Sequence, residues 1–193
     1  MIPLWLKLAD TAFVAVLVVV YARTWGWENF LWFSDIALIL SVPALWFESP
    51  LLASMMALAV VLPDGLWIVS FFWQLVSGRR FIGLSDYMFD ASKPRWLRAL
   101  SLFHLWLPLL LLWTVAKLGH AHDALIGMTL LCWVVLVICY FFTDPEENIN
   151  WAFGFGGKRQ MLRSARLHLL LTMVGFPLVV YLPTHALLMA LFG

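Results

Sequence analysis

Leu51–Ser77 reads LLASMMALAVVLPDGLWIVSFFWQLVS, a run in which Asp64 is the sole ionisable residue. A helix needs about 20 apolar residues to cross a hydrocarbon core of roughly 30 Å, so this stretch is long enough by itself. Runs of the same character recur at Leu8–Arg23, Phe30–Phe47, Leu97–Leu118, Ala124–Phe142 and Leu167–Phe192. Backbone groups in lipid must find their partners within one segment or within a closed barrel, and these runs far exceed the ~10-residue strands of a barrel. The sequence therefore predicts an all-α, polytopic transmembrane helical bundle of about six spans, with residues 1–193 as a single integral membrane domain.

Composition agrees. The 193 residues are 64% hydrophobic and 12% charged, against about 25% charged in a soluble domain. The net charge of +1 and the lack of Lys/Arg clusters interleaved with aromatics argue against a nucleic-acid partner. Cys132 and Cys139 fall seven residues apart in one span, ~10 Å by helix rise, too far for a disulfide to each other. Lys7 followed by Thr11–Val20 and Val20-Tyr21-Ala22 has the outline of a secretory signal; we read it as a retained first span.

The first, third and fifth connections share one side and hold ten basic residues, Arg23, Arg79, Arg80, Lys93, Arg95, Arg98, Lys158, Arg159, Arg163 and Arg166, against two, Lys7 and Lys117, on the other. The positive-inside rule makes the basic side cytoplasmic and puts both termini on the non-cytoplasmic side. Trp25, Trp27, Trp46, Trp73, Trp96 and Trp151 lie near span ends, where amphipathic rings settle among headgroups.

An ionisable side chain inside a span costs ~3 kcal/mol on insertion scales. Asp35, Asp64, His104 and His185 are therefore the candidates in the spans, as functional groups or as hydrogen-bonded links between helices. Asp35 and His104 each lie about six residues in from the cytoplasmic side, roughly 9 Å deep. At matching heights, Asp35 can orient the imidazole of His104, which then acts as general base toward Ser34. Pro63-Asp64-Gly65 predicts a kink, since proline removes a backbone donor, and suits either helix packing or a proton relay. In TDPEENINWAFGFGG (Thr143–Gly157), Asn148, Asn150 and Trp151 can fold over the cytoplasmic mouth, line the pocket and supply oxyanion donors, or cap the fifth helix. Ser85–Asp90, flanked by basic residues, suggests a short helix on the membrane surface.

On the opposite face His120, His122 and Asp123, with His185 and Glu48 within reach, are zinc-competent ligand types. A turn at that spacing is common without metal, so no metal is assigned. Neither a phosphate-cradling glycine loop nor an H-E-x-x-H motif occurs, and no cofactor is expected.

Phe30-Leu31-Trp32-Phe33-Ser34-Asp35, together with His104 and Leu107-Pro108, resembles the androgen-induced-gene and androgen-dependent TFPI-regulating protein family. The resemblance implies a polytopic intramembrane hydrolase that uses a Thr nucleophile and a His to cleave fatty acid esters of hydroxy fatty acids, with His104 as base and Asp35 as carboxylate. Trp32 stands where that family has its Thr, which leaves Ser34 as the substitute nucleophile. The chain also resembles bacterial membrane-associated proteins, which implies a bacterial inner membrane.

Three functions follow: an intramembrane hydrolase or acyltransferase acting on lipid acyl esters; a non-catalytic accessory or scaffold subunit of a larger membrane complex; or a small transporter using Asp64 and Asp35. Membrane lipids are the expected partners, with a homo-oligomer or a membrane-protein complex as further options. The charge asymmetry predicts that alkaline phosphatase fused to either terminus is active while a fluorescent protein that folds only in the cytoplasm stays dark there; the reverse pattern would overturn the orientation.

Overall fold

The computed structural model describes residues 1–155 and 164–193, so Lys158, Arg159 and Arg163 lie outside the described residues. The chain is all-α: α1 (Leu4–Thr24), α2 (Phe33–Trp46), α3 (Pro50–Ser77), α4 (Arg95–Leu100), α5 (Phe103–Leu118), α6 (Ala124–Phe142), α7 (Ala165–Gly175) and α8 (Leu182–Phe192). Five helical stretches are long and apolar enough to cross a membrane, namely α1, α3, α4 with α5, α6, and α7 with α8.

The second predicted span is shorter than expected. Residues Trp27–Leu31 form a 3-10 turn after Gly26, whose φ of 84° lies in the left-handed region, and Trp32 is extended. Only the 14 residues of α2 remain, roughly 21 Å of helix. The fourth span is also interrupted, at Ser101-Leu102 between α4 and α5. The last span contains a π-helical turn at Phe176–Tyr181 between α7 and α8. Pro177 lies within its first residues and Pro183 just beyond it, and the backbone donors they lack favour a local change of helical pitch.

α3 is the central helix, packed against α2, α5 and α6. Its start is specified locally: the Ser49 hydroxyl accepts from the Leu52 N–H at 3.3 Å and Pro50 occupies the first turn, where its missing donor costs nothing. Its end is Gly78, at φ 66°, the left-handed cap that glycine adopts without strain. Where the sequence predicts a kink at Pro63-Asp64-Gly65, helical backbone runs unbroken.

The contact between α2 and α3 is built from small residues. Ala37, Ser41 and Ala44 of α2 and Ala53, Ala57 and Ala59 of α3 are buried. Lipid is as apolar as leucine, so helices in it associate through close backbone approach, which small side chains permit. Hydrogen bonds reinforce the neighbouring contact of α1 with α2: the Ser41 hydroxyl donates to Asp10 Oδ2 at 3.0 Å and the Trp46 indole donates to the Thr11 hydroxyl at 2.9 Å.

One end of the bundle gathers both chain termini. There the Ile2 N–H and the Lys7 ammonium both donate to Glu48 Oε1, at 3.0 and 2.8 Å, and the His120 N–H donates to the Phe192 carbonyl. The opposite end carries the two long loops. Ser85–Asp90, expected as a surface helix, is instead a 3-10 turn (Asp86–Phe89) docked on α3: Ser85 is buried, its hydroxyl bonds the Ser70 hydroxyl at 3.2 Å, and Met88 is buried beside it. A buried hydroxyl of Ser70 facing outward from α3 supplies the docking point that composition alone does not reveal.

Because Ala57 is fully buried in the first half of α3, Ala57→Leu should lower the unfolding midpoint in detergent, by about 1–3 kcal/mol of overpacking, whereas Ala15→Leu on the exposed side of α1 should leave it unchanged.

Candidate functional site

His104 is the second residue of α5. The first turn of α5, just after the interruption at Ser101-Leu102, lies against the middle of α3. There His104 Nδ1 is 3.0 Å from Asp64 Oδ1, both residues being buried. The imidazole is held between two aromatic rings, Trp67 at 4.8 Å between centroids and Phe103 at 4.2 Å, both near parallel. With its faces covered and Nδ1 engaged, the ring has one free edge: among the described residues Nε2 makes no hydrogen bond. A carboxylate accepting from Nδ1–H selects the tautomer that leaves the Nε2 lone pair available to take a proton.

The carboxylate that orients His104 is thus Asp64, not Asp35. Depth counted from the expected span ends separates Asp64 from His104. They meet because α3 extends well past the start of α5, and the helix ends are not flush. Asp35, the third residue of α2, is buried. Its Oδ1 is buried without a hydrogen bond, as is Asp64 Oδ2. Ser34 is half-buried and bonds neither His104 nor Asp35.

Hydroxyl and indole groups surround this centre. Tyr21 on α1 and Ser101 at the α4–α5 break share a hydrogen bond of 2.8 Å, and Trp67 donates to the Tyr87 hydroxyl at 3.2 Å. Burial of its hydroxyl pushes the Tyr87 pKa above the ordinary value, so that group stays protonated. Sequence reading misses Tyr21, Trp67, Tyr87 and Ser101. One signal was available: Asp64 and Trp67 are three apart on a helix and so share a face.

The side-chain amides of Asn148 and Asn150 are engaged within the protein. Asn150 Nδ2 donates to the Leu31 carbonyl and Asn150 Oδ1 accepts from the Phe33 N–H at 3.0 Å, tying the loop to the start of α2. Asn148 Nδ2 donates to the Gly154 carbonyl and its Oδ1 accepts from the Phe153 N–H, so it staples the loop to itself. The Trp151 carbonyl lies 2.9 Å from His168 Nε2. Asn148, Asn150 and Trp151 all have positive φ, of 46°, 50° and 58°. Asparagine tolerates that conformation far better than tryptophan does, so the strain at Trp151 is held by the bonds around it.

Compared with known protein families, curated proteins and solved structures, the chain matches none. Its chemistry therefore has to be argued from its own side chains.

At the terminal end, His120 Nε2 and His185 Nδ1 are 2.9 Å apart, bridging the α5–α6 turn to α8. Glu48, a possible fellow ligand from sequence, is instead committed to Lys7 and the N-terminal residues. Among the described residues no group of three or more His, Cys, Asp or Glu is placed to hold a metal, so His120, His122 and Asp123 do not form a metal centre with His185. Clefts open elsewhere on the bundle. One of about 320 Å³ lies between α1 and α5; another, about 200 Å³, lies at the loop end and is bordered by Trp25, Glu28, Trp32 and Glu147. Asp35, Asp64 and His104 border neither.

Burial, with His185 and His122 adding to it, lowers the pKa of His120 below 6.5. The folded protein then binds fewer protons here than the unfolded chain, and this contribution to stability is complete above pH 6.5 and is lost as pH falls from there toward the depressed folded value. The unfolding midpoint should fall on acidification from pH 7.5 to 5, and His120→Gln should flatten that dependence.

Proposed function

We propose that this integral membrane protein is an intramembrane enzyme that hydrolyses or transfers the acyl group of a lipid ester, with His104 as general base and Asp64 as the residue that positions it. The observation that carries this reading is the buried 3.0 Å contact between His104 Nδ1 and Asp64 Oδ1, with Nε2 making no hydrogen bond among the described residues. An ion-capable pair is costly inside a bilayer and is retained there for a use or for a helix contact. Here the arrangement goes beyond a helix contact, because stacking on both faces of the imidazole fixes the direction of its free edge.

In the hydrolytic form, Nε2 takes a proton from water as the water oxygen attacks the ester carbonyl. The same proton then passes to the departing alcohol oxygen, giving a carboxylic acid and an alcohol. In the transfer form a lipid hydroxyl replaces water. Ser34 has no bond to His104 and is not needed for either form. Tyr21, Ser101 and Tyr87 are hydroxyl donors in the same cluster for charge developing on the carbonyl oxygen. This reading fits a bacterial inner membrane with both termini outside.

A second reading is proton-coupled transport, favoured by three buried carboxylates, Asp10, Asp35 and Asp64, each with an oxygen that lacks a partner. Proton relays in membranes are built from such groups.

The two separate by experiment. Purified protein in lipid nanodiscs, given long-chain fatty acid esters, should release fatty acid or exchange acyl groups; His104→Ala should lower the rate by about 10²–10⁴-fold, and Asp64→Asn should lower it while shifting the pH profile. Ser34→Ala should retain full rate. Rates in His104→Ala equal to the parent would remove the enzyme reading, and pH-driven flux into proteoliposomes that is lost in Asp64→Asn would establish the second.

A further inference from the structure

Asp10 is a buried carboxylate that the His104 centre does not use. It is the seventh residue of α1 and 4% exposed. Its Oδ2 accepts from the Ser41 hydroxyl at 3.0 Å, while Oδ1 is buried with no hydrogen-bond partner. A cation was available to it: Lys7 lies three residues earlier on the same helix, where side chains meet. Lys7 is instead bonded to Glu48 at 2.8 Å. The protein thus keeps a carboxylate in its apolar interior without compensating it, although such a charge is costly in a medium that cannot solvate it.

The surroundings of Asp10 say what would compensate it. α1 packs on α2 and diverges from α5, which opens the lateral cleft of about 320 Å³ between them. That volume is at the lower end of those that hold small organic ligands. Leu6, Ala9, Asp10 and Phe13 form one wall, and Trp106 and Leu110 the other. Phe13 and Trp106 meet edge to face with ring centroids 5.2 Å apart. Carboxylate, indole and phenyl ring are therefore gathered in one apolar cleft. Organic cations are held by such a combination, through charge on one side and the negative faces of aromatic rings within about 6 Å on the other.

We infer that the cleft between α1 and α5 is a binding site for an alkylammonium compound, its nitrogen between Asp10 and Trp106 and its hydrocarbon chain along Leu6, Ala9 and Leu110. The cleft faces sideways out of the bundle, and an amphiphilic amine dissolved in the bilayer reaches it without crossing the loops. The inference stands apart from the reading of His104, since neither Asp10 nor the cleft borders that centre.

The test is titration of the protein in lipid nanodiscs with hexyltrimethylammonium, followed by calorimetry, with 1-hexanol as the uncharged control. Saturable binding of one hexyltrimethylammonium per chain is expected, at least tenfold weaker in Asp10→Asn and in Trp106→Leu, with no saturable binding of 1-hexanol. Asp10→Asn disturbs the bond to Ser41, so Ala9→Phe, which fills the cleft and leaves that bond in place, supplies the second arm; it should abolish binding while the unfolding midpoint stays at the parent value. Heat that never saturates, equal affinity for 1-hexanol, or parental affinity in a folded Ala9→Phe protein would each overturn the proposal.

Discussion

The hydrogen bond between Asp64 and His104 decides how the two most closely packed helices of the bundle, α3 and α5, sit against each other. In hydrocarbon there is no water to take up a polar group that misses its partner. A slide of α3 along α5 by one turn would leave both a carboxylate and an imidazole unsatisfied, whereas the leucines around them would repack at little cost. The polar pair therefore fixes the register, and the apolar surface fills in around it.

The other interhelical links follow the same rule at different heights. Near the termini, Ser41 to Asp10, Trp46 to Thr11 and Lys7 to Glu48 join α1 to α2 and its following turn. At the loop end Asn150 joins the 143–155 segment to the start of α2, and Tyr21 joins α1 to the α4–α5 break. Between these levels the α2–α3 contact relies on alanine and serine, whose small side chains let backbones approach. Van der Waals packing supplies closeness, and a few polar contacts choose among the many close arrangements that apolar helices permit.

The helical bundle was legible in runs such as Leu51–Ser77, because twenty-odd apolar residues have essentially one conformation available in lipid. The short α2 was not, because Phe30-Leu31-Trp32 is as hydrophobic as the helix it precedes; what ends the helix there is Asn150, more than a hundred residues away. The partner of His104 was misjudged for a related reason. Depth counted from span ends assumes that helices start at a common plane, and α3 does not. Asn148 and Asn150 look from sequence like unengaged amides, yet both are consumed by backbone groups of the loop and of α2. Asp10 attracts little notice beside Lys7, since neighbouring opposite charges usually pair; the competing Glu48 comes from a distant turn.

The length of α2 has a bearing on the lipid around it. At roughly 21 Å it is about 9 Å shorter than the hydrocarbon core it must face. A bilayer meets a short segment by thinning locally or by letting flanking groups reach to the interface, and the 3-10 turn at Trp27–Leu31, with Trp25 before it and Trp32 after it, stands at the short end of α2. Glycerol and ester carbonyls would ride down with the depressed leaflet, beside the helix end that carries Asp35. Thinning of that kind would shorten the distance between the polar boundary and the buried acids without any part of the protein having to move.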